Sequence, residues 1–234
     1  MIKLYFLILL IQPNHEAAPE TEPESQPILA LQENAAELIK TLYPSTKAAV
    51  LSVAIVDAIP GRPLNMSGAL ELWFDDADEA NAASQVLPTA IFTQPIEVTG
   101  KAVGIERVVM RRPDFYQNRG VKGLYAFRRK PDMSVDDFQF YWWQNHGPIA
   151  ALTESATCYI QSHVLKSAYK NGTPDFDGVT ELYWPDVPSA LQAIGSRQMI
   201  ENQSADARNF VDLESVDLMI AEQHMIIPPW KETL

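Results

Sequence analysis

The chain has 234 residues, 47% of them hydrophobic and 21% charged, which supplies enough apolar side chain for one large domain or two small ones. A formal net charge of −12, with no basic run longer than Arg128-Arg129-Lys130, argues against a nucleic-acid partner, because phosphate binding rests on Lys and Arg. The single cysteine, Cys158, excludes an intrachain disulfide framework and fits a reducing, cytoplasmic setting.

The first eleven residues place a lysine before an apolar run, as a signal peptide does. The run is too short for a membrane span, which takes about 20 apolar residues, and no Ala-x-Ala cleavage site follows. It reads as a buried strand, residues 2–11. Residues 13–27, rich in Pro and Glu, read as an exposed loop. A helix is predicted over 28–42, strands over 49–56 and 69–74, a helix over 77–86 and a strand over 105–110. Residues 111–120 form a linker broken by Arg-Pro-Asp and Arg-Gly steps. Beyond it come a strand over 123–127 and a helix from 135 to about 151, with Ser134 as N-cap and Asp137 in the first turn. Strands over 157–164 and 179–184, a helix over 189–201 and a strand over 216–222 complete the chain.

The same order of elements is thus written twice. Gly68-Ala-Leu-Glu71-Leu72-Trp73-Phe74-Asp-Asp76 aligns without a gap on Gly178-Val-Thr-Glu181-Leu182-Tyr183-Trp184-Pro-Asp186, and Ala80 then matches Ala190. A spacing of about 110 residues is too long for a solenoid repeat and suits one small domain. The fold class expected is α+β: two ferredoxin-like βαββαβ modules, residues 1–112 and 121–234, packed face to face as a pseudo-dimeric barrel within one chain.

The second module resembles the EthD family. Gly123-Leu-Tyr-Ala-Phe-Arg-Arg-Lys-Pro-Asp-Met-Ser-Val-Asp-Asp-Phe138 leads into Tyr141-Trp142-x-x-x-His146-Gly147-Pro148. Then follow Tyr159-Ile-Gln161-Ser-His163, Phe176-Asp177-Gly178-Val179-Thr-Glu181-Leu182 and Glu222-Gln-His224. The resemblance covers about residues 122–227. The first module keeps the Glu71 segment but has no His-Gly-Pro, and its one histidine is His15 in the acidic loop. The resemblance implies a pocket for a hydrophobic, oxygenated, aromatic or polyketide-like molecule, handled without a cofactor.

Strand alternation puts Tyr159, Gln161 and His163 on one face, Glu181 and Tyr183 on another, and Glu222 and His224 on a third. Polar residues on a sheet face line a cavity or are paired, so a partly polar barrel interior is expected. His146 lies beside Pro148, which kinks a helix, so it can reach a cavity with a side chain suited to proton transfer near neutral pH. Alternatively it fixes the helix end. The candidate catalytic residues are His146, His224, His163 and Tyr183; the candidate substrate-binding residues are Tyr159, Gln161, Trp142, Tyr141 and Glu181. Three histidines on distant elements, with no HExxH or paired-Cys spacing, give little support to a metal site, and neither a Walker loop nor GxGxxG is present. The activity expected is a cofactor-independent lyase releasing water, CO₂ or a small carbonyl fragment. A cofactor-free monooxygenase or isomerase, or a non-catalytic small-molecule binding or accessory protein of a catabolic pathway, are the alternatives. The expected partners are a small-molecule substrate and, through open sheet edges, a second copy of the chain; no nucleic acid or membrane partner is expected.

Overall fold

A computed structural model describes residues 1–11, 29–61, 65–115 and 119–228. The acidic loop expected over 13–27, with His15, lies outside the described residues. The eight strands are β1 (Ile2–Leu10), β2 (Ala48–Ala54), β3 (Gly68–Phe74), β4 (Ile96–Arg111), β5 (Val121–Arg129), β6 (Cys158–Val164), β7 (Gly178–Trp184) and β8 (Val211–Ile227). They pair antiparallel into one closed barrel in the order β1-β3-β2-β8-β5-β7-β6-β4. The first four strands follow the order β4-β1-β3-β2 and the last four β8-β5-β7-β6, which is the same order. The mixed α+β barrel is the expected one. Closure leaves no open sheet edge among these strands, which removes the edge-pairing basis for a second copy.

β4 and β8 run well beyond the strands expected over 105–110 and 216–222. Each serves two neighbours in succession: β4 pairs with β1 and then β6, and β8 with β5 and then β2. Gly100, Lys101 and Gly104, which precede the strand expected over 105–110, hide the length of β4, since what they lack in strand propensity the pairing with β1 supplies.

The helices lie outside the barrel. α1 (Ala35–Leu42) and α2 (Ala77–Ala83) cover the first half. α1 starts later than residue 28 because Leu31 is held in a β-bridge to Phe92. In the second half come α3 (Val135–Tyr141), a π turn (Trp142–His146) and α4 (Gly147–Ala150), then α5 (Val187–Ile194), a second π turn (Gln198–Gln203) and α6 (Ser204–Ala207). The single helix expected over 189–201 is divided, with Gly195 at the break as the C-cap of α5. Among the described residues no helix is long and apolar enough to cross a membrane.

The barrel interior is polar at its centre, and of the faces that alternation grouped it is the one with Glu181 and Tyr183 that looks inward. Lys3 and Lys122 are fully buried with Glu71 and Glu181. Lys3 touches Glu181, Glu71 at 2.6 Å and Glu106 at 3.3 Å; Lys122 touches Glu71 and Glu181, the latter at 3.4 Å. The hydroxyls of Tyr5 and Tyr183 each donate to Glu181 at 2.6 Å. Burial opposes charging of Glu181, yet Lys122 and Lys3 hold its carboxyl well below the usual range. Burial likewise opposes charging of Lys3, and Glu181 and Glu71 outweigh it. Register explains the symmetry: Lys3 faces Trp73 as Lys122 faces Tyr183, the matching positions of the repeat. Tyr159, Gln161 and His163 point the other way, toward the helices.

Candidate active site

The site is built where Pro148 meets an amphipathic helix. The Ser134 side chain accepts the Asp137 N–H and starts α3, whose Phe138 is buried against Trp142 and Phe210. An α-helix would need an N–H at residue 148, and the proline ring would crowd the carbonyl four residues back. The helix continues by widening into the π turn, so the expected kink is a bulge rather than a break. Gly147 N–H donates to the Trp142 carbonyl, and that oxygen also accepts Gln161 Nε2 at 2.9 Å. The Trp142 ring lies so close on the sheet that a Cβ at Gly178 would come within 2.6 Å of it.

His146 closes this turn. Its Nδ1 is 2.8 Å from Asp206 Oδ2 on α6. A carboxylate only accepts, so the proton sits on Nδ1 and Nε2 carries the free lone pair. Asp206 Oδ1 accepts the Tyr141 hydroxyl at 2.7 Å and Asn209 Nδ2 at 3.3 Å. Burial lowers the His146 pKa although Asp206 opposes it, so the imidazole is neutral at neutral pH. The Phe210 ring packs on it at 4.9 Å.

His146 and Trp142 line a cavity of about 370 Å³ between the outer face of the second-half sheet and the helical layer. Phe127, Thr180 and Leu182 form its floor, and Met199, Gln203 and Phe210 its roof. Most of this wall is hydrocarbon, and the volume falls within the roughly 300–1,000 Å³ of small-molecule pockets.

The other expected residues are distributed as follows. Tyr141 stands behind the cavity and orients Asp206. Tyr159, Gln161 and His163 form a hydrogen-bonded row under Trp142: Gln161 Nε2 donates to Tyr159 Oη at 2.7 Å, and His163 Nε2 lies 2.9 Å from Gln161 Oε1. Burial, helped by Arg107, pushes the His163 pKa down to about 3, and burial pushes that of Tyr159 up to about 12. Glu181 and Tyr183 belong to the barrel centre, across the sheet from His146. His224 is exposed on β8, opposite Leu51 of β2. Sequence reasoning missed Asp206 and Gln203. Both lie past the end of the helix expected over 189–201, in a stretch to which the sequence reading assigned no element.

The EthD domain family model matches residues 130–214. An EthD family protein from Bacillus halodurans is 20% identical, with 44% of this chain and 96% of that one covered and a TM-score of 0.36. An anthrone oxidase-like protein is 9% identical over 100% of this chain and 95% of that one, with a TM-score of 0.49. A proposed chlorite dismutase is 9% identical over 97% and 95%, with a TM-score of 0.50. The likeness to the last of these speaks to the fold alone. No curated protein sequence matches the chain.

Proposed function

We propose that the protein is a proton-transfer enzyme, a lyase that needs no cofactor, acting on a hydrophobic oxygenated small molecule in the His146 cavity. The observation that carries this is the His146–Asp206 pair. The neutral imidazole has Nδ1 committed to a carboxylate and Nε2 without a partner among the described residues, at the wall of an apolar cavity. Nε2 is then a general base. For loss of water it takes the proton from the carbon next to the one bearing a hydroxyl, and the C–H pair becomes the C=C bond. The C–O bond breaks, and the leaving hydroxyl takes a proton back from the imidazolium as water. Asp206 positions the ring and stabilises the imidazolium formed midway. Release of CO₂ or a small carbonyl fragment would use the same base.

In this reading the chain is a tandem of two βαββαβ modules, residues 1–112 and 121–234, the first of which has lost the site and completes the barrel. The test is a mass-spectrometric turnover screen of hydroxylated aromatic and polyketide-like compounds, with His146→Ala beside the wild type. A mass loss of about 18, 30 or 44 units that vanishes in the variant supports the lyase. Oxygen uptake that vanishes in the variant would replace it with a cofactor-free monooxygenase, and turnover unchanged by the variant would remove His146 from the chemistry.

A further inference from the structure

The geometry points to a substrate that is uncharged when it binds: the His146 cavity admits neutral hydrophobic molecules and rejects their carboxylates. This deepens the proton-transfer reading and rests on it for the identity of the site, though not for its own measurement. Among the described residues lining the cavity none is Lys, Arg, Asp or Glu. Its polar groups are amide and hydroxyl, from Gln203, Thr180, Ser204 and Tyr125, together with the imidazole of His146. The Gln203 side chain is buried, with Nε2 donating to Thr153 at 2.7 Å. Asp206 places a negative charge behind this wall, one hydrogen bond beyond the His146 ring. A carboxylate entering the cavity would lose its water, find no cation, and face Asp206 across a neutral ring. Burying an unpaired charge is costly, whereas a neutral hydroxyl or ester needs one hydrogen bond.

The same arrangement tolerates negative charge once it forms during reaction. Proton transfer to Nε2 creates the imidazolium at the moment it creates the substrate anion, so the two appear as a pair. The site therefore discriminates by when the charge arises, which is the differential stabilisation catalysis requires. Among the reactions open to such a base, loss of water from an uncharged alcohol is favoured over loss of CO₂ from a carboxylate.

The experiment measures binding of naphthalene-2-methanol, naphthalene-2-carboxylate and the methyl ester of that acid to the full chain at pH 8, by calorimetry, with His146→Ala in parallel. The alcohol and the ester are expected to bind, and the carboxylate about tenfold more weakly or not at all. Leu213 lines the cavity and is 47% exposed, so Leu213→Lys places a cation at the rim without disturbing the core. It should raise carboxylate affinity about tenfold relative to that of the alcohol. Carboxylate binding equal to or tighter than the alcohol in the wild type overturns the inference, and so does failure of all three to bind. A protein that shows the expected order of binding yet turns nothing over would leave the inference standing and remove the proposed activity instead.

Discussion

The two halves of the barrel have the same strand order and different outer faces. Where the second half carries Tyr159, Gln161 and His163, the first carries Ala49, Leu51 and Val53, opposite the matching β3 positions Leu72, Leu70 and Gly68. The first-half layer is a continuous apolar cluster that includes Phe6, Ile39, Tyr43, Leu51 and Leu70. The second-half layer holds a hydrogen-bonded row, a proline-widened helix and a cavity. Backbone pairing is thus indifferent to which half holds the His146 cavity. A few outward-facing positions and one helical turn decide it.

The sharpest way to break the comparison is at the His146–Asp206 pair, which has no equivalent hydrogen bond in the first half among the described residues. His146→Ala and Asp206→Asn are expected to lower kcat by about 10²- to 10⁴-fold, read on whichever compound the turnover screen identifies, with little change in the urea midpoint. A drop in stability of equal weight would mean the pair is a fastener.

The barrel centre tests the opposite claim, that what the halves share holds them together. Lys122→Met and Lys3→Met each strand a buried carboxylate, and each should cost about 3–5 kcal/mol in urea unfolding. Lys3→Met should be the larger, since Lys3 meets three carboxylates and Lys122 two. Costs below about 1 kcal/mol would show that the network is solvated in practice.

Exchanging the outer faces is a finer probe. Gln161→Leu gives β6 the residue of β2 and removes the bonds to Trp142 and Tyr159. It should cost about 1–3 kcal/mol and lower kcat by loosening the turn that presents His146, while leaving substrate affinity nearly unchanged. Loss of affinity with kcat intact would assign Gln161 to binding instead.

The histidines give the second half a pH dependence of its own. His163 titrates near 6.5 when unfolded and near 3 when folded, because burial lowers it. The unfolded chain then binds more protons, so this contribution to stability is present above about 6.5 and is lost as pH falls toward 3. His163→Gln should flatten that slope in denaturation curves taken across the window. For His146, also lowered by burial, kcat/KM should rise with pH to a plateau with its midpoint below the ordinary imidazole value. The smallest difference expected is at the helix starts. Ser134→Ala and Asp76→Ala should each cost about 1 kcal/mol, since Ser134 accepts the Asp137 N–H at the start of α3 and Asp76 accepts the Asp78 and Glu79 N–H groups at the start of α2.

Much of the fold was legible because its signals are local or repeated. The aligned Gly68 and Gly178 segments announced the duplication of strands, and Ser134 announced its helix. The lengths of β4 and β8 were not legible, because each is stabilised by partners on both sides rather than by its own composition. At the site, His146 stood out through the proline beside it. Asp206 did not, since its meaning depends on a ring 60 residues away. Tyr183 and Glu181 were expected with the histidines, and only the pairing register, which sets Glu181 beside Lys3 across the barrel, turns them to the other side of the sheet.

A barrel closed by two identical chains makes every amino-acid change twice, once on each side of its axis. Here the ring is closed within one polypeptide, so a change is made once. Lys3 already differs from Lys122 in reaching Glu106, an asymmetry no pair of identical subunits related by a strict two-fold axis could hold. One side of the ring is free to change while the other keeps its packing.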